Sequence, residues 1–390
     1  MNEGRLSHST WECKFATFYF VFFGAKRHNS FACSLMDESM LPYGEPDRLY
    51  NSDDLLRGYD RDDPMAFAKS WDFQTYATYI VDGAATPRSL DIRLKQAGHD
   101  ARIAEALKEF LNRETKPKLV GIMGGHGLSR STAGAYAAVA RLARHLTQAG
   151  YLIVTGGGPG AMEAGHVGAT FSHASDLAFE QALTTLAAVP DLPVLSNIVG
   201  PDGEPAPGKE SAFNQARLWL NAALEVKDSA PAERGESLAI PTWFYGSEPS
   251  TPFASAYAKY FQNSIREEAL ITQSRAGIVY AQGAGGTLRE IFEDGEQNFY
   301  ATTAADFTPM IFFDPDGFWE HDAEFDKHGV TKPGVNVRDL IQKVFRYGRT
   351  DSVAVLNKVR FTVNFDEIDA VLRAHAPIAQ QSLAFSLASV

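Results

Sequence analysis

Two stretches of this chain carry residue types suited to holding a phosphate. Thr155-Gly156-Gly157-Gly158-Pro159-Gly160-Ala161-Met162-Glu163 and Gln282-Gly283-Ala284-Gly285-Gly286-Thr287-Leu288-Arg289-Glu290 each follow an apolar run and open a segment of helical spacing. Glycines let backbone N–H groups come close to an anion, and the first turn of a helix adds unpaired donors and the positive end of a dipole. The pair implies a phosphate-bearing ligand held between two helix N-termini; for either turn alone, a tight bend without a ligand is the plain alternative. In the first turn Gly156, Gly158 and Ala161 also satisfy G-x-G-x-x-G/A, with Asp176 twenty residues after Gly156. A dinucleotide site needs that acid at the end of a second strand. Phe171–Asp176 follows no apolar strand run, so the context argues against it.

The elements that must position these turns alternate in type. Leu119–Met123 reads as a buried strand leading into Gly124-Gly125-His126-Gly127, then an alanine-rich helix from about Ser131 to Gln148 with Gly150 at its exit, then a strand over Tyr151–Val154 and a helix to about Ala169. Further on, Ala239–Tyr245 is expected as a strand, Phe253–Gln273 as a long helix, Gly277–Ala281 as a strand and Thr287–Tyr300 as a helix. Met310–Phe313 and Phe361–Val363 close the set of strands, before a helix over Asp366–His375. Repeated strand–turn–helix units give parallel pairing, and hence an α/β, Rossmann-like doubly wound sheet with helices on both faces. Gly200–Gly208 and Asp228–Gly235 read as surface loops around a helix containing Phe213–Val226. Asp91–Asn112 is helical, with Lys116-Pro117 ending it, and residues 1 to about 60 are irregular and offer no recognisable chemistry. The expected organisation is an N-terminal extension over 1–100 and a nucleotide-binding domain over 101–390.

The chain has 390 residues, enough for a large core, and 36 Lys and Arg against 48 Asp and Glu give it a net charge of −12. With no basic run, binding to a nucleic-acid backbone is not expected. The two cysteines, Cys13 and Cys33, make no zinc or redox spacing, which fits a reducing cytoplasm. Phe15–Ala25 is strongly apolar but too short to span a bilayer, and Glu12 before it, with no small-residue cleavage site after it, argues against a secretory signal. A true start at Met36 or Met40 fits the sequence equally well. No G-x-S-x-G, HExxH or clustered carboxylates appear, so neither a serine triad nor a metal is expected.

Taken together, GGHG after a strand, then TGGGPGAMEA, then QGAGGTLRE resemble the LOG (Lonely guy) family, once described as lysine decarboxylases. GPGAMEA is most similar to its bacterial nucleotide 5'-monophosphate nucleosidases. The resemblance covers roughly Lys118–Leu372. It implies a Rossmann-like homodimer that cleaves the N-ribosidic bond of nucleoside 5'-monophosphates to free base and ribose 5-phosphate, in nucleotide salvage or cytokinin activation, without a cofactor. Against the family's P-G-G-x-G-T-x-x-E, Gly283, Gly286, Thr287 and Glu290 match, while Gln282 and Ala284 replace a proline and a glycine. The pyridoxal phosphate suggested by the old label would lack a Schiff-base lysine in either motif.

The resemblance makes Glu290 and Arg266 the catalytic candidates, the latter one residue further from the motif than is usual. Breaking the C1'–N bond builds oxocarbenium character, which a carboxylate can stabilise or relieve by activating water. Glu290 lies one helical turn below the phosphate end of its helix, and Arg266 would hold ribose or phosphate oxygens with its planar fork. Gly124 and Gly125 match the family's nucleotide-contacting turn, and Gly157, Gly158, Gly160, Gly283, Gly285, Gly286 and Thr287 are expected at the phosphate. Met162 packs beside the ligand or in the core. Glu163 either meets the ribose hydroxyls or assists the acid/base work, or is simply an acid favoured by the helix dipole, and His126 reads as a loop histidine. Asp294, Gln297 and Asn298 continue one face of the Glu290 helix, expected at the surface or a dimer interface. The competing reading for the whole chain is a nucleotide-binding sensor or carrier of the same fold that performs no catalysis.

Overall fold

The computed structural model describes residues 42–375 apart from 116 and 328. The two cysteines, the apolar run over 15–25 and both alternative starts fall outside that range.

Four helices come first: α1 (Ser52–Leu55), α2 (Ala66–Lys69), α3 (Trp71–Val81) and α4 (Leu90–Leu111). There follow β1 (Lys118–Met123), α5 (Gly134–Gln148), β2 (Tyr151–Thr155), α6 (Ala161–Thr170), α7 (Asp176–Ala187), α8 (Glu210–Ser229), β3 (Ser237–Ala239), β4 (Ala256–Tyr257), α9 (Asn263–Gln273), β5 (Gly277–Tyr280) and α10 (Gly285–Phe299). The chain continues through β6 (Met310–Phe312), a small hairpin of β7 (Glu324–Asp326) and β8 (Gly329–Lys332), α11 (Arg338–Gly348), α12 (Ser352–Leu356), β9 (Val359–Phe361) and α13 (Phe365–Ala374).

Among the described residues the main sheet runs β4-β3-β2-β1-β5-β6-β9, and every pairing in it is parallel. This is the expected Rossmann-like arrangement. The direction of winding reverses between β1 and β5, which opens a crevice at the carboxyl ends of the strands. Side-chain alternation divides the core in two. Leu119, Met123, Leu152, Val154, Ile278 and Tyr280 face one side, and Val120, Ile122, Ile153 and Val279 face the other. Both faces are buried, which is why the strands read as continuous apolar runs. Helix α5 supplies Val139, Leu142 and Leu146 to the second face and ends at Gly150, whose φ of 89° is the left-handed conformation that closes a helix.

Two expected elements differ. The strand foreseen over Ala239–Tyr245 stops at Ala239; Pro241 has no N–H with which to continue a ladder, and the chain winds into a short 3₁₀ turn over Trp243–Tyr245. The long helix foreseen from Phe253 begins only at Asn263, because Phe253–Phe261 is extended chain that includes β4. Apart from Ser255 its residues are buried, so apolar spacing alone does not distinguish helix from strand. Helices α7 and α11 were not foreseen. Asp176 opens α7 under a Ser175 cap and pairs with Arg144 at 2.7 Å, so it does not end a strand.

Residues 49–111 are woven into the main core. Tyr50 exchanges backbone hydrogen bonds with Tyr257 of β4, and Ile103, Leu107 and Leu111 of α4 pack in the same cluster as Leu119 and Ile278. Helix α4 itself runs through residue 100.

A candidate nucleotide site at the switch point

Three turns interlock above the carboxyl ends of β1, β2 and β5. Gly125 donates its N–H to the Gln282 carbonyl at 2.9 Å, and Ala161 donates to the Gly125 carbonyl at 3.2 Å. A side chain at Gly160 would collide with the Gly125 carbonyl, and one at Gly283 with Thr287. Gly160 is demanded by backbone contact between turns, and Gly283 by the Thr287 side chain together with the Gly125 backbone. Gly285 and Gly286 have open space where a Cβ would project, so packing does not require them; they leave room beside the start of α10. Among the described residues no acceptor takes the N–H groups of Gly285, Gly286 or Thr287, and the Ala284 cap offers no side-chain oxygen. Unpaired donors at the positive end of a helix form a site for an anion.

The turns border a cavity of about 480 Å³. Gly124, Gly125, Gly157, Gly158, Met162, Gly283, Gly286, Thr287, Arg266 and Glu290 all line it. Gly160 faces an adjoining cavity across the His126–Leu128 segment, and Gly285 lies at the helix start outside the lining. His126 is on the rim, with Nδ1 3.7 Å from Glu248 Oε1.

Glu290 and Arg266 come together. Arg266 donates Nε–H to the Ile240 carbonyl at 2.8 Å, and its Nη1 stands 3.8 Å from Glu290 Oε1. Its guanidinium crosses so close to Gly156 that any side chain there would displace it. Both groups are buried, at 7 % and 8 % exposure. Burial pushes the Glu290 carboxyl up to about 7 while Arg266 pulls it back, and the neighbouring Glu267 and Glu293 raise it further. A buried carboxyl balanced near neutrality at the wall of a cavity is suited to proton transfer.

Glu163 belongs elsewhere. It is fully buried, accepts two hydrogen bonds of 2.7 Å from Arg130 and one of 2.8 Å from Tyr136, and does not line the cavity. Arg130 in turn lies over the Trp219 ring at 3.7 Å and donates to the Trp219 carbonyl. The pairing ties the loop after β1 to α6, so Glu163 has no free edge for a ribose. Asp294 and Asn298 likewise lie inside the fold, not at a surface. Asp294 accepts from Tyr280 at 2.7 Å, and Asn298 holds both backbone groups of Thr308.

Several contributors carried no sequence signal. Thr155 Oγ1 accepts the Gly157 N–H at 2.9 Å and meets His166 Nε2 at 2.8 Å; His166 Nδ1 meets Ser237 Oγ at 2.9 Å. This chain stiffens the first glycine turn from below. From the N-terminal region, Asp100 of α4 accepts the N–H groups of Phe261 and Gln262 at 2.9 Å each, fixing the chain just before the helix that carries Arg266. Asp72 of α3 pairs with Lys259 at 2.6 Å, and Lys259 lines the cavity. Only spatial neighbours reveal these roles; Asp72 and Lys259 are 187 residues apart.

Among the described residues no helix is long and apolar enough to cross a membrane, and no cluster of His, Cys, Asp or Glu is placed to hold a metal ion. No protein-family model matches this chain, and no curated protein matches it either.

Proposed function

We propose that the protein hydrolyses nucleoside 5'-monophosphates to a free base and ribose 5-phosphate. The observation that carries this reading is the Glu290 carboxyl, buried beside Arg266 one helical turn below the unpaired N–H groups of α10. The motif resemblance to the LOG family leads to the same activity.

In this reading the phosphate rests at the start of α10 against the turns after β1 and β2, where helix donors and dipole balance its charge. Arg266 holds ribose or phosphate oxygens through its fork. As the C1'–N bond breaks, its electron pair leaves with the base and positive charge grows on the ribose, next to the Glu290 carboxylate. A water oxygen bonds to C1', Glu290 takes the proton that water loses, and the same proton then neutralises the departing base. Bond making and breaking balance without a further reactant.

The test is incubation of the purified protein with AMP, GMP, IMP, CMP, UMP and an N6-isopentenyl AMP, following base and ribose 5-phosphate by chromatography. Equimolar release of both products from at least one nucleotide is expected. Nucleotide binding without release from any of them would move the assignment to a sensor or carrier.

A further inference from the structure

The far wall of the cavity carries a buried cation that the proposed chemistry does not use. Lys259 is 1 % exposed, and its Nζ donates to Asp72 Oδ1 at 2.6 Å and to Ser250 Oγ at 3.0 Å. The Trp243 ring lies 5.2 Å away, and Trp243 itself donates its indole N–H to Asp72 at 2.9 Å. An ammonium carries three N–H donors. Asp72 and Ser250 take two, and among the described residues no acceptor takes the third. Lys259, Ser250 and Thr242 all line the cavity. A lysine buried to this degree is costly unless its charge is matched, and Asp72 on α3 supplies the match. Removing water from an ammonium with one donor to spare, at the wall of a pocket, is an arrangement for a ligand acceptor.

The order of strands says which part of the ligand reaches it. The phosphate-binding turns stand over β5, β1 and β2. Arg266 spans the ends of β2 and β3, through its contacts at Gly156 and Ile240. Lys259 follows β4, the strand beyond β3. Neighbouring strands are about 4.8 Å apart, so Lys259 is roughly three intervals, about 14 Å, from the β1 turn. Along that line phosphate, ribose and base fall in sequence.

We infer that Lys259, held by Asp72 and Ser250, is the base-recognition subsite, and that it selects nucleotides whose base carries a carbonyl on the edge far from the sugar. O6 of a 6-oxopurine or O4 of uracil would accept the spare N–H, whereas the exocyclic amino group of adenine or cytosine would set donor against donor. The inference rests on the nucleotide reading of the cavity. It also gives the N-terminal helices a part in the site, since α3 supplies the counter-charge.

Calorimetric titration of the full chain carrying Glu290→Gln, with intact IMP, AMP, UMP and CMP, tests it independently of turnover. IMP and UMP should bind about 10- to 100-fold more tightly than AMP and CMP, and in a Lys259→Met background that preference should collapse toward unity. If that variant fails to fold, Asp72→Leu together with Lys259→Met removes the pair without leaving either charge buried alone. Equal binding of oxo and amino nucleotides, a preference that survives loss of Lys259, or no binding to the folded protein would overturn the subsite. Selective binding through Lys259 with no base release by the wild-type chain would uphold the subsite while defeating the hydrolase reading.

Discussion

At the scale of single residues, two glutamates in equivalent motif positions have opposite fates. Glu290 faces the cavity with a carboxyl raised by burial to about 7, while Glu163 is enclosed by Arg130 and Tyr136. If Glu290 acts as a base, its ionised form is the active one, so kcat/KM should fall about tenfold per pH unit below about 7 and level off above it. A profile that instead falls as pH rises through 7 would assign it the role of acid. The same shift carries a stability cost. A carboxyl whose folded value exceeds its ordinary 4.5 stabilises the fold least above that raised value, so Glu290→Gln should gain up to about 3 kcal/mol at pH 8 and almost nothing at pH 4, by denaturant titration. Glu163→Ala leaves Arg130 buried and unpaired, which should cost about 3–5 kcal/mol; a variant as stable as the parent but unable to bind nucleotide would return Glu163 to the ribose. Sequence alone could not separate the two, because a glutamate in a first helical turn suits both a ligand and a helix dipole, and Arg130 is 33 residues away.

At the scale of elements, the alternation of strands and helices from β1 to α6 was legible because each glycine turn marks where a strand ends and a helix begins. The stretch from Pro241 to Phe261 was not. Apart from the exposed Phe244 and Tyr245, its large apolar residues are buried in an unbroken run, so they carry neither a period of two nor one of 3.6. The support beneath the first turn was equally hidden, since Thr155, His166 and Ser237 come from β2, α6 and β3. Burial holds the His166 ring neutral, with its pKa lowered from 6.5 to about 3. A lowered folded value means that this contribution is fully present above pH 6.5 and drains away as pH falls toward 3, with a slope of up to about 1.4 kcal/mol per pH unit. Denaturant midpoints measured from pH 7 to pH 4, for wild type and His166→Gln, should diverge at the upper end and converge at the lower; parallel curves would deny the histidine this part.

At the scale of the whole molecule, an acidic chain of net charge −12 keeps two buried cations, Arg266 and Lys259, for one cavity. Each is supported from the N-terminal region, Lys259 directly by Asp72 and the helix of Arg266 by Asp100, which holds the two residues that lead into it. Neither acid is recognisable as a site residue from the sequence, because each acts on groups some 160 to 190 residues further along. Removing residues 1–100 should therefore abolish cooperative unfolding in near-ultraviolet circular dichroism. A truncated chain that melts cooperatively and binds nucleotide would show the region to be dispensable.

The account depends most on Glu290 acting on the glycosidic bond. The direct measurement is the rate of base release from a saturating nucleotide by wild type and by Glu290→Gln, with the binding constant of each determined in parallel. The expected result is a fall in kcat of about 10²- to 10⁴-fold with affinity changed less than about threefold. Equal rates in the two proteins, or loss of binding with turnover per bound nucleotide preserved, would contradict it.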